Sequence, residues 1–309
     1  MYVAFAIDVF SRRFVGSPVS SPLRSDLGSM CFTDSLTPAQ LTELAQHRKI
    51  GLFGAVVPEA LSYESFSLRS FLLHETKTLI IATGNANIYA RDATTAKWGQ
   101  HTLAKLSGGR FLWGLGISHV PRVEDLRGHR SGKPLATMRA YLDAMDKAAA
   151  TAPPLEDPPP TVLAALGPGM TVLAAARTAG AMPYNVTPEH TARTRAVLGP
   201  DKWLCVEQKI LLVQDPAKAR EIARQTMAFY MPLPNYRNNW LRLGFSEDDL
   251  ADGGSNRFPD AMVAWGEKSA VQKRIQEHFE AGASHVCIQG LHPDGQPRPD
   301  LNALAALAP

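Results

Sequence analysis

Two side chains that can carry protons each follow a short apolar run of this chain: Glu59 follows one run, and His119 follows another. An imidazole at the end of a strand can titrate near neutral pH and move a proton, and a carboxylate at the same end can face a ligand. Each residue also has a simpler interpretation. Glu59 could interact with the dipole at the start of a helix, and His119 could bond a neighbouring loop. Both residues are therefore candidate catalytic groups, with these structural roles as the alternatives.

A third candidate is a stretch of backbone rather than a side chain. The segment Gly167-Pro168-Gly169 precedes a helical pattern over Thr171–Thr178. Amide groups at the start of a helix can bind a phosphate. We therefore expect Gly167 and Gly169 to contact the phosphate of a ligand, with an ordinary tight turn as the alternative.

A polar cluster, Tyr236 to Asn239, lies beside Trp240 in the long segment Met231–Gly266. Segments this long that interrupt a compact fold usually form a lid or a binding loop. We predict that Met231–Gly266 folds over the site, and the position of the polar cluster beside Trp240 is compatible with contact to a substrate. A solvated loop is the alternative.

The elements that position these residues read as alternating strands and helices. Eight short apolar runs are mostly continuous, which is typical of strands buried on both faces in a parallel sheet. Helical patterns separate them. This order predicts an α/β fold, a closed (β/α)8 TIM barrel, with a doubly wound open sheet as the alternative. Ligands of such barrels bind at the carboxyl ends of the strands, where the candidate residues lie. The predicted strands are Gly28–Phe32, Leu52–Val57, Thr78–Thr83, Phe111–Gly116, Thr161–Leu166, Ala181–Tyr184, Leu204–Val206 and His285–Gln289.

Composition excludes several classes of function. The 309 residues are 45% hydrophobic, enough for a large core, and 32 basic against 29 acidic residues give a net charge of +3. The basic residues form no long run, so nucleic acid is not an expected partner. No stretch approaches the roughly 20 apolar residues of a membrane helix, and the start of the chain lacks a signal-peptide pattern. Cys31, Cys205 and Cys287 include no CxxC pair, so we expect no metal site, no disulfide and a cytoplasmic location.

Two segments together resemble a known family. They are Ile81-Ala-Thr-Gly-Asn-Ala-Asn87 and Gly109-Arg-Phe-Leu-Trp-Gly-Leu-Gly-Ile-Ser-His119, with Arg91-Asp92 between them, and they resemble the luciferase-like monooxygenase superfamily. Further segments resemble its branch of coenzyme F420-dependent oxidoreductases. These are Ala164–Pro168, Pro183–Tyr184, Pro234–Asn239 and His285–Gln289, and the whole resemblance covers about residues 27–291.

The resemblance implies a TIM barrel with an insertion before the last strand, and a flavin or deazaflavin across the carboxyl ends of the strands. It also implies a non-prolyl cis peptide, by position Gly84–Asn85. Relatives often carry an acidic proton donor after the fourth strand. This chain has His119 there, so we expect an imidazolium to serve as the acid, with Glu59 as the other catalytic candidate. The expected cofactor-binding residues are Thr83, Gly84, Asn85, Asn87, Ser118, Gly167 and Gly169.

The activity that the resemblance implies is hydride transfer between the deazaflavin coenzyme F420 and a small organic substrate. The alternatives are an FMN-dependent luciferase-like monooxygenase on the same fold and a flavin-binding protein without catalytic activity. The fold alone does not decide among the three. Relatives often form dimers, so a homodimer is a further expectation.

The first residues have a different character. Residues 1–16 resemble a fragment of the integrase core of insertion-sequence transposases, and a linker rich in serine and proline follows at Ser17–Ser25. Metal-dependent strand transfer needs several carboxylates around its metal ions, and Asp8 alone cannot supply them, so we expect no transposase activity. The chain is predicted to divide into an N-terminal extension left by a gene fusion, residues 1–24, and a barrel domain, residues 25–309.

Overall fold

The computed structural model of the chain describes residues 30–31, 54–59 and 63–307. Its strands are β1 (Met30–Cys31), β2 (Gly54–Val57), β3 (Ile80–Thr83), β4 (Ala86–Asn87), β5 (Phe111–Gly116), β6 (Thr161–Leu163), β7 (Gly180–Ala181), β8 (Trp203–Leu211), β9 (Val263–Trp265) and β10 (His285–Gly290). They pair in the order β1-β2-β3-β5-β6-β7-β8-β10, with β4 beside β5 and β9 beside β8. Cα atoms of β1 and β10 approach within 8 Å. The first strand thus meets the last, and the sheet closes into the predicted (β/α)8 barrel.

Helices connect the strands and cover the outside of the barrel. They are α1 (Ser65–Glu75), α2 (Ala93–Ser107), α3 (Val120–Glu124), α4 (Pro134–Lys147), α5 (Pro168–Arg177), α6 (Pro188–Leu198), α7 (Pro216–Met227), α8 (Pro234–Arg242), α9 (Arg257–Met262), α10 (Lys268–Glu280) and α11 (Leu301–Leu307), with a 3-10 turn at Asp248–Leu250. Five of them, α4 to α8, begin at a proline. Its fixed φ and missing N–H suit the first helical position. Asp92, Thr187 and Asp215 cap α2, α6 and α7 by accepting backbone N–H bonds.

All eight predicted strands form, and the largest difference from the prediction is the length of β8. The sequence predicts an end at Val206, whereas the strand continues to Leu211. Glu207 and Lys209 bond each other, and Gln208 bonds a histidine of α10. Polar residues of these types favour a loop, which is why the predicted strand ends early. The strand continues through them because each polar side chain has a buried partner.

The interior of the barrel is built in layers, because every second residue of a strand points inward. The lower layer is apolar, and the upper layer contains the residues two positions further along toward the carboxyl ends. Intervening residues, such as Ile81 and Phe111, pack outward against the helices. The lower layer comprises Val56, Ala82, Leu112, Val162, Met182, Cys205 and Cys287. The upper layer comprises Pro58, Gly84, Gly114, Ala164, Tyr184, Glu207 and Gln289.

The segment between β8 and β10 forms the predicted insertion before the last strand. It contains α8, α9 and β9, and a buried cluster around Trp240 and Phe258. The indole N–H of Trp240 donates to the carbonyl of Asn185 at 3.1 Å, and the Tyr236 ring lies 5.8 Å from the His119 ring. Since Asn185 and His119 both follow barrel strands, the insertion lies at the carboxyl end, where the sites of TIM barrels are found.

The predicted N-terminal extension, residues 1–24, lies outside the described residues. Within the described part of the chain, no helix has the length and apolarity needed to cross a membrane. No group of three or more histidine, cysteine, aspartate or glutamate side chains is placed there to hold a metal ion.

Candidate active site

The upper layer has two sides of different character, which we call the small side and the polar side. The small side, at the carboxyl ends of β3, β5 and β6, has almost no side-chain volume, whereas the polar side, at the carboxyl ends of β7, β8 and β10, carries charge and hydrogen-bonding groups. Space beside convergent polar groups is typical of a cofactor site. The small side consists of Gly84, Gly114 and Ala164, and the polar side of Tyr184, Glu207 and Gln289.

Close packing explains the glycines of the small side. A Cβ on Gly114 would lie 2.1 Å from the Thr83 carbonyl oxygen and 2.7 Å from Oδ1 of Asn85, and one on Gly116 would lie 3.2 Å from Cβ of Asn85. The Thr83 hydroxyl donates to the Gly114 carbonyl and accepts from its N–H, both at 2.7 Å. Thr83 therefore joins β3 to β5, and its hydroxyl is engaged there. The Gly84–Asn85 peptide is cis, as the resemblance implies.

Glu59 belongs to an ion pair. Arg91 binds both of its carboxylate oxygens, and the Asn87 N–H donates to Oε2 at 2.8 Å. Burial alone would lower the pKa of Arg91, but the hydrogen bond and the charge of Glu59 raise it. The cap of α1 is Glu64, whose side chain accepts from the N–H groups of Phe66 and Ser67. Glu59 anchors the loop after β3, and the sequence could not show this pair because its members lie 32 positions apart.

Asn87 and Ser118 shape two turns beside the small side. The Asn87 Oδ1 accepts from the N–H of Tyr89 at 2.9 Å, which closes the turn after β4. Ser118 has a φ of 62°, a left-handed conformation that few residues other than glycine adopt, and it redirects the chain from β5 into His119. The structure gives both residues positioning roles, and their contact with a cofactor stays a prediction.

His119 lies between β5 and the insertion, where its side chain bonds Asn235. Burial and then the charge of Arg122 lower the pKa of His119 to about 4, so the imidazole is neutral at pH 7. The expected imidazolium is therefore wrong for the resting protein, because burial disfavours the charged form. A neutral imidazole keeps one N–H donor and one acceptor nitrogen, so His119 can still relay a proton.

The start of α5 meets the insertion at the rim of the barrel. Gly167 precedes the first turn of α5, and Nη2 of Arg242 lies 3.8 Å from the position that a Cβ on Gly167 would take. A Cβ on Gly169 would lie 3.3 Å from Leu135. A helix start beside a guanidinium suits a phosphate. The structure thus places Arg242 beside the two predicted glycines. The sequence could not predict this contact, because α8 lies far from these glycines along the chain.

Three buried amide atoms at this end of the barrel have no hydrogen-bond partner among the described residues: Oδ1 of Asn85, Nδ2 of Asn185 and Nδ2 of Asn239. The last two assignments are fixed, because Oδ1 of Asn185 accepts from Lys209 and Oδ1 of Asn239 accepts from Arg242. Lysine and arginine can only donate. A buried polar atom without a partner costs about 1–3 kcal/mol. One acceptor and two donors of the described residues are thus left unpaired at the end of the barrel where the candidate residues lie.

The polar side contains a buried ion pair that the sequence did not predict. Nζ of Lys209 lies 3.1 and 3.2 Å from the two carboxylate oxygens of Glu207, and it also bonds Asn185. The two charged side chains are only 1% and 3% exposed. Nζ lies 3.9 Å from the centroid of the Tyr184 ring. The alternation of Cys205, Glu207 and Lys209 was the available signal, since alternate residues of a strand share a face.

The chain is similar to proteins of known families in both sequence and fold. A family model described as luciferase-like monooxygenase matches residues 23–285. A Mycobacterium tuberculosis protein, whose name proposes a coenzyme F420-dependent oxidoreductase, is 34% identical over 85 residues. That match covers 28% of this chain and spans only 24% of the length of the curated relative.

Two solved structures share the fold. One is an F420-dependent secondary alcohol dehydrogenase in complex with an F420-acetone adduct, with a TM-score of 0.69 and 15% identity over 88% of this chain and 93% of that chain. The other is the coenzyme F420-dependent tetrahydromethanopterin reductase from Methanopyrus kandleri, with a TM-score of 0.65 and 15% identity over 88% of this chain and 94% of that chain. At this identity the likeness establishes the architecture.

Proposed function

This chain belongs to the luciferase-like monooxygenase family, and on that premise we propose that it transfers a hydride between coenzyme F420 and a small organic substrate. The observation that carries the proposal is the set of three buried amide atoms without partners at the carboxyl end. The pyrimidine edge of a flavin or deazaflavin offers an N–H donor to Oδ1 of Asn85 and a carbonyl acceptor to Nδ2 of Asn185, and a cofactor phosphate offers an acceptor to Nδ2 of Asn239. The names of the curated relative and of both structural neighbours favour the deazaflavin.

The small side would hold the ring system of the cofactor. Gly84, Gly114 and Ala164 carry little or no side chain, and beside them Oδ1 of Asn85 would accept from a ring N–H while Nδ2 of Asn185 would donate to a ring carbonyl. The cofactor supplies the hydride chemistry when bound, and the protein supplies binding, orientation and electrostatics.

The rim at the start of α5 would hold the phosphate of the cofactor. The backbone at Gly167 and Gly169 presents the amino end of a helix, which favours an anion. Arg242 adds a guanidinium beside Gly167, and the free Nδ2 of Asn239 adds a donor. These groups come from β6, α5 and the insertion, so binding of the phosphate would tie the insertion to the barrel.

His119 would move the proton that accompanies hydride transfer. It lies under the insertion beside the Tyr236 ring, so a substrate that binds there is shielded from water. His119→Ala should lower kcat with little change in the affinity for F420. His129→Ala, an exposed position whose ring lies 6.2 Å from that of Tyr89, is the control. An unchanged kcat would leave His119 with the role of bonding the insertion.

Asn85 provides the test of the proposed site. Within the described part of the chain its side chain makes no hydrogen bond, and its buried Oδ1 lies over Gly114. Asn85→Ala should weaken F420 binding about tenfold, the equivalent of one hydrogen bond, and leave the melting temperature nearly unchanged. Fluorescence titration with F420 measures the first quantity and calorimetry the second. Asn302→Ala on α11 is the exposed control, and equal affinity of Asn85→Ala and the parent would refute the site.

Further properties belong to the same proposal. We assign the catalytic domain to residues 25–309, which the family match from residue 23 supports, and residues 1–24 to an extension outside it. A cytoplasmic location accords with Cys205 and Cys287, which are free and buried. A small molecule is the proposed partner, nucleic acid is not, and two copies of the chain are proposed to form a homodimer.

A further inference from the structure

The Glu207–Lys209 pair has no part in holding the cofactor as proposed above, and packing does not explain it. Taking two charges out of water is costly, and apolar residues of similar volume often give an equally stable fold. One layer lower, the same strand places Cys205 in an apolar interior. An interior position of β8 can therefore be filled by an uncharged residue. The charged residues at the carboxyl end of the same strand need an explanation other than packing.

The pair is a dipole with a defined direction. Glu207 belongs to the upper layer, and Lys209, two residues further along β8, lies one step nearer to the mouth of the barrel. Its Nζ lies 3.9 Å from the centroid of the Tyr184 ring and 5.6 Å from that of Tyr230. The positive end of the dipole thus faces the mouth, and aromatic rings shield it from water.

Asn185 fixes the pair in place. Its φ of 56° is left-handed, its N–H donates to Oε2 of Glu207 at 3.4 Å, and its Oδ1 accepts from Lys209. Its carbonyl accepts from the indole of Trp240 at 3.1 Å, which connects the pair to the insertion. A charge held by this many partners needs no rearrangement when a ligand acquires charge, which is the condition for electrostatic preorganisation.

We propose that Lys209, held by Glu207 and Asn185, stabilises the reduced form of the bound cofactor and thereby raises its reduction potential. The inference rests on the proposed function. Uptake of a hydride, which carries two electrons, leaves more negative charge on the pyrimidine part of a flavin or deazaflavin ring. A fixed cation in an interior of low dielectric favours the more negative form. Lys209 acts through its field and is a positioning residue.

The reduction potential of F420 bound to the full chain is the quantity to measure, by equilibration with a reference dye. Lys209→Met removes the cation at similar volume. It should reduce the preference for reduced over oxidised F420 about tenfold, which lowers the potential of a two-electron couple by about 30 mV. Glu207→Gln leaves the cation without its counter-charge and should raise the potential. The double variant should fall between the parent and Lys209→Met.

Opposite shifts in the two single variants are a result that loss of packing cannot produce. Shifts in one common direction, or no shift in variants that bind F420, would overturn the inference. If Lys209→Met does not fold, the double variant, which keeps the net charge of the parent, tests the inference, because its reduction potential should also be lower than that of the parent. Lys202→Met, which removes an ammonium bonded to the Thr178 carbonyl at 2.6 Å, must leave the potential unchanged. A parent chain that binds neither F420 nor FMN would contradict the proposed function itself and the inference with it.

Discussion

The interior of this barrel is neutral toward the amino end and charged toward the carboxyl end, although β8 and β10 line both. In the neutral part, Sγ of Cys205 lies 3.7 Å from Nδ1 of His285. Burial raises the pKa of Cys205 to about 12 and lowers the pKa of His285 to about 4. In the charged part, two residues further along β8, Glu207 and Lys209 form an ion pair.

The difference shows that residue type alone does not identify a site. A thiol beside an imidazole is a nucleophile and a base in many enzymes, yet here burial holds both in their neutral forms, and the pair only packs. The carboxyl end instead leaves amide atoms without partners, as on Asn185, and stabilises buried charge. The proposed site is therefore supported by unpaired amide atoms and buried charge, and not by a reactive pair of side chains.

The largest predicted effect on stability comes from adding a methyl group to one glycine at the amino end of the barrel and to one at the carboxyl end. Gly180→Ala would place a Cβ 1.9 Å from the Trp203 carbonyl oxygen, and Gly114→Ala would place one 2.1 Å from that of Thr83. The backbone must move in both, so each should lower the free energy of unfolding by about 3 kcal/mol. Only Gly114→Ala should also weaken F420 binding, because Gly114 supports Asn85. Denaturant unfolding measures the stability and fluorescence titration measures the affinity for F420. If folded Gly180→Ala lost as much affinity as Gly114→Ala, the distinction between the two ends of the barrel would be contradicted.

A loss of stability of similar size is expected at low pH from His285, in the neutral part of the barrel interior. His285 has a pKa of about 4 in the fold and near 6.5 when unfolded. Between these values the unfolded chain binds more protons, so stability is lost as pH falls from about 6.5 to 4, by at most roughly 3 kcal/mol. His119 and His278, with pKa values of about 4 and about 3, add to the loss. In His285→Gln, urea unfolding across this range should show a slope smaller by about one proton, and a slope equal to that of the parent would contradict the assignment.

A smaller effect, on the affinity for F420, is expected from a substitution at the rim of the charged part, at the start of α5. Arg242→Met should weaken F420 binding about tenfold through loss of a charged hydrogen bond to the phosphate. Arg237→Met, on the same helix and paired with Glu247 at the surface, is the matched control. The chromophore of F420 without its phosphate should bind the parent and both variants equally. A loss of that affinity in Arg242→Met would mean that the arginine supports the ring or the fold instead.

The barrel could be predicted from the sequence because apolar runs and proline-initiated helices are local signals. The bounds of β5, Phe111–Gly116, agree with the prediction, and the glycines of that strand mark the close approach of the loop after β3. The cis peptide at Gly84–Asn85 followed from the resemblance to relatives and is confirmed.

The partners of the candidate residues could not be predicted, because they depend on contacts between distant parts of the chain. The ion pair of Glu59 with Arg91 joins positions far apart in the sequence, and a catalytic role of Glu59 stays a prediction. Arg242 reaches the start of α5 from the insertion, and the Glu207–Lys209 pair lies in a strand whose polar residues favour a loop. Local patterns describe the strand and helix periods, whereas burial of charge depends on what surrounds it in the folded chain.

Identification of the cofactor that the protein retains tests the central claim most directly. The full chain would be produced in a host that makes both flavins and deazaflavins, purified without added cofactor, and examined by absorbance and mass spectrometry. The charged end of the barrel should retain F420, and the Asn85→Ala variant, which lacks the unpaired Oδ1, should retain much less. Retention of FMN in preference to F420, confirmed by titration, would contradict the claim, and so would a protein that binds neither.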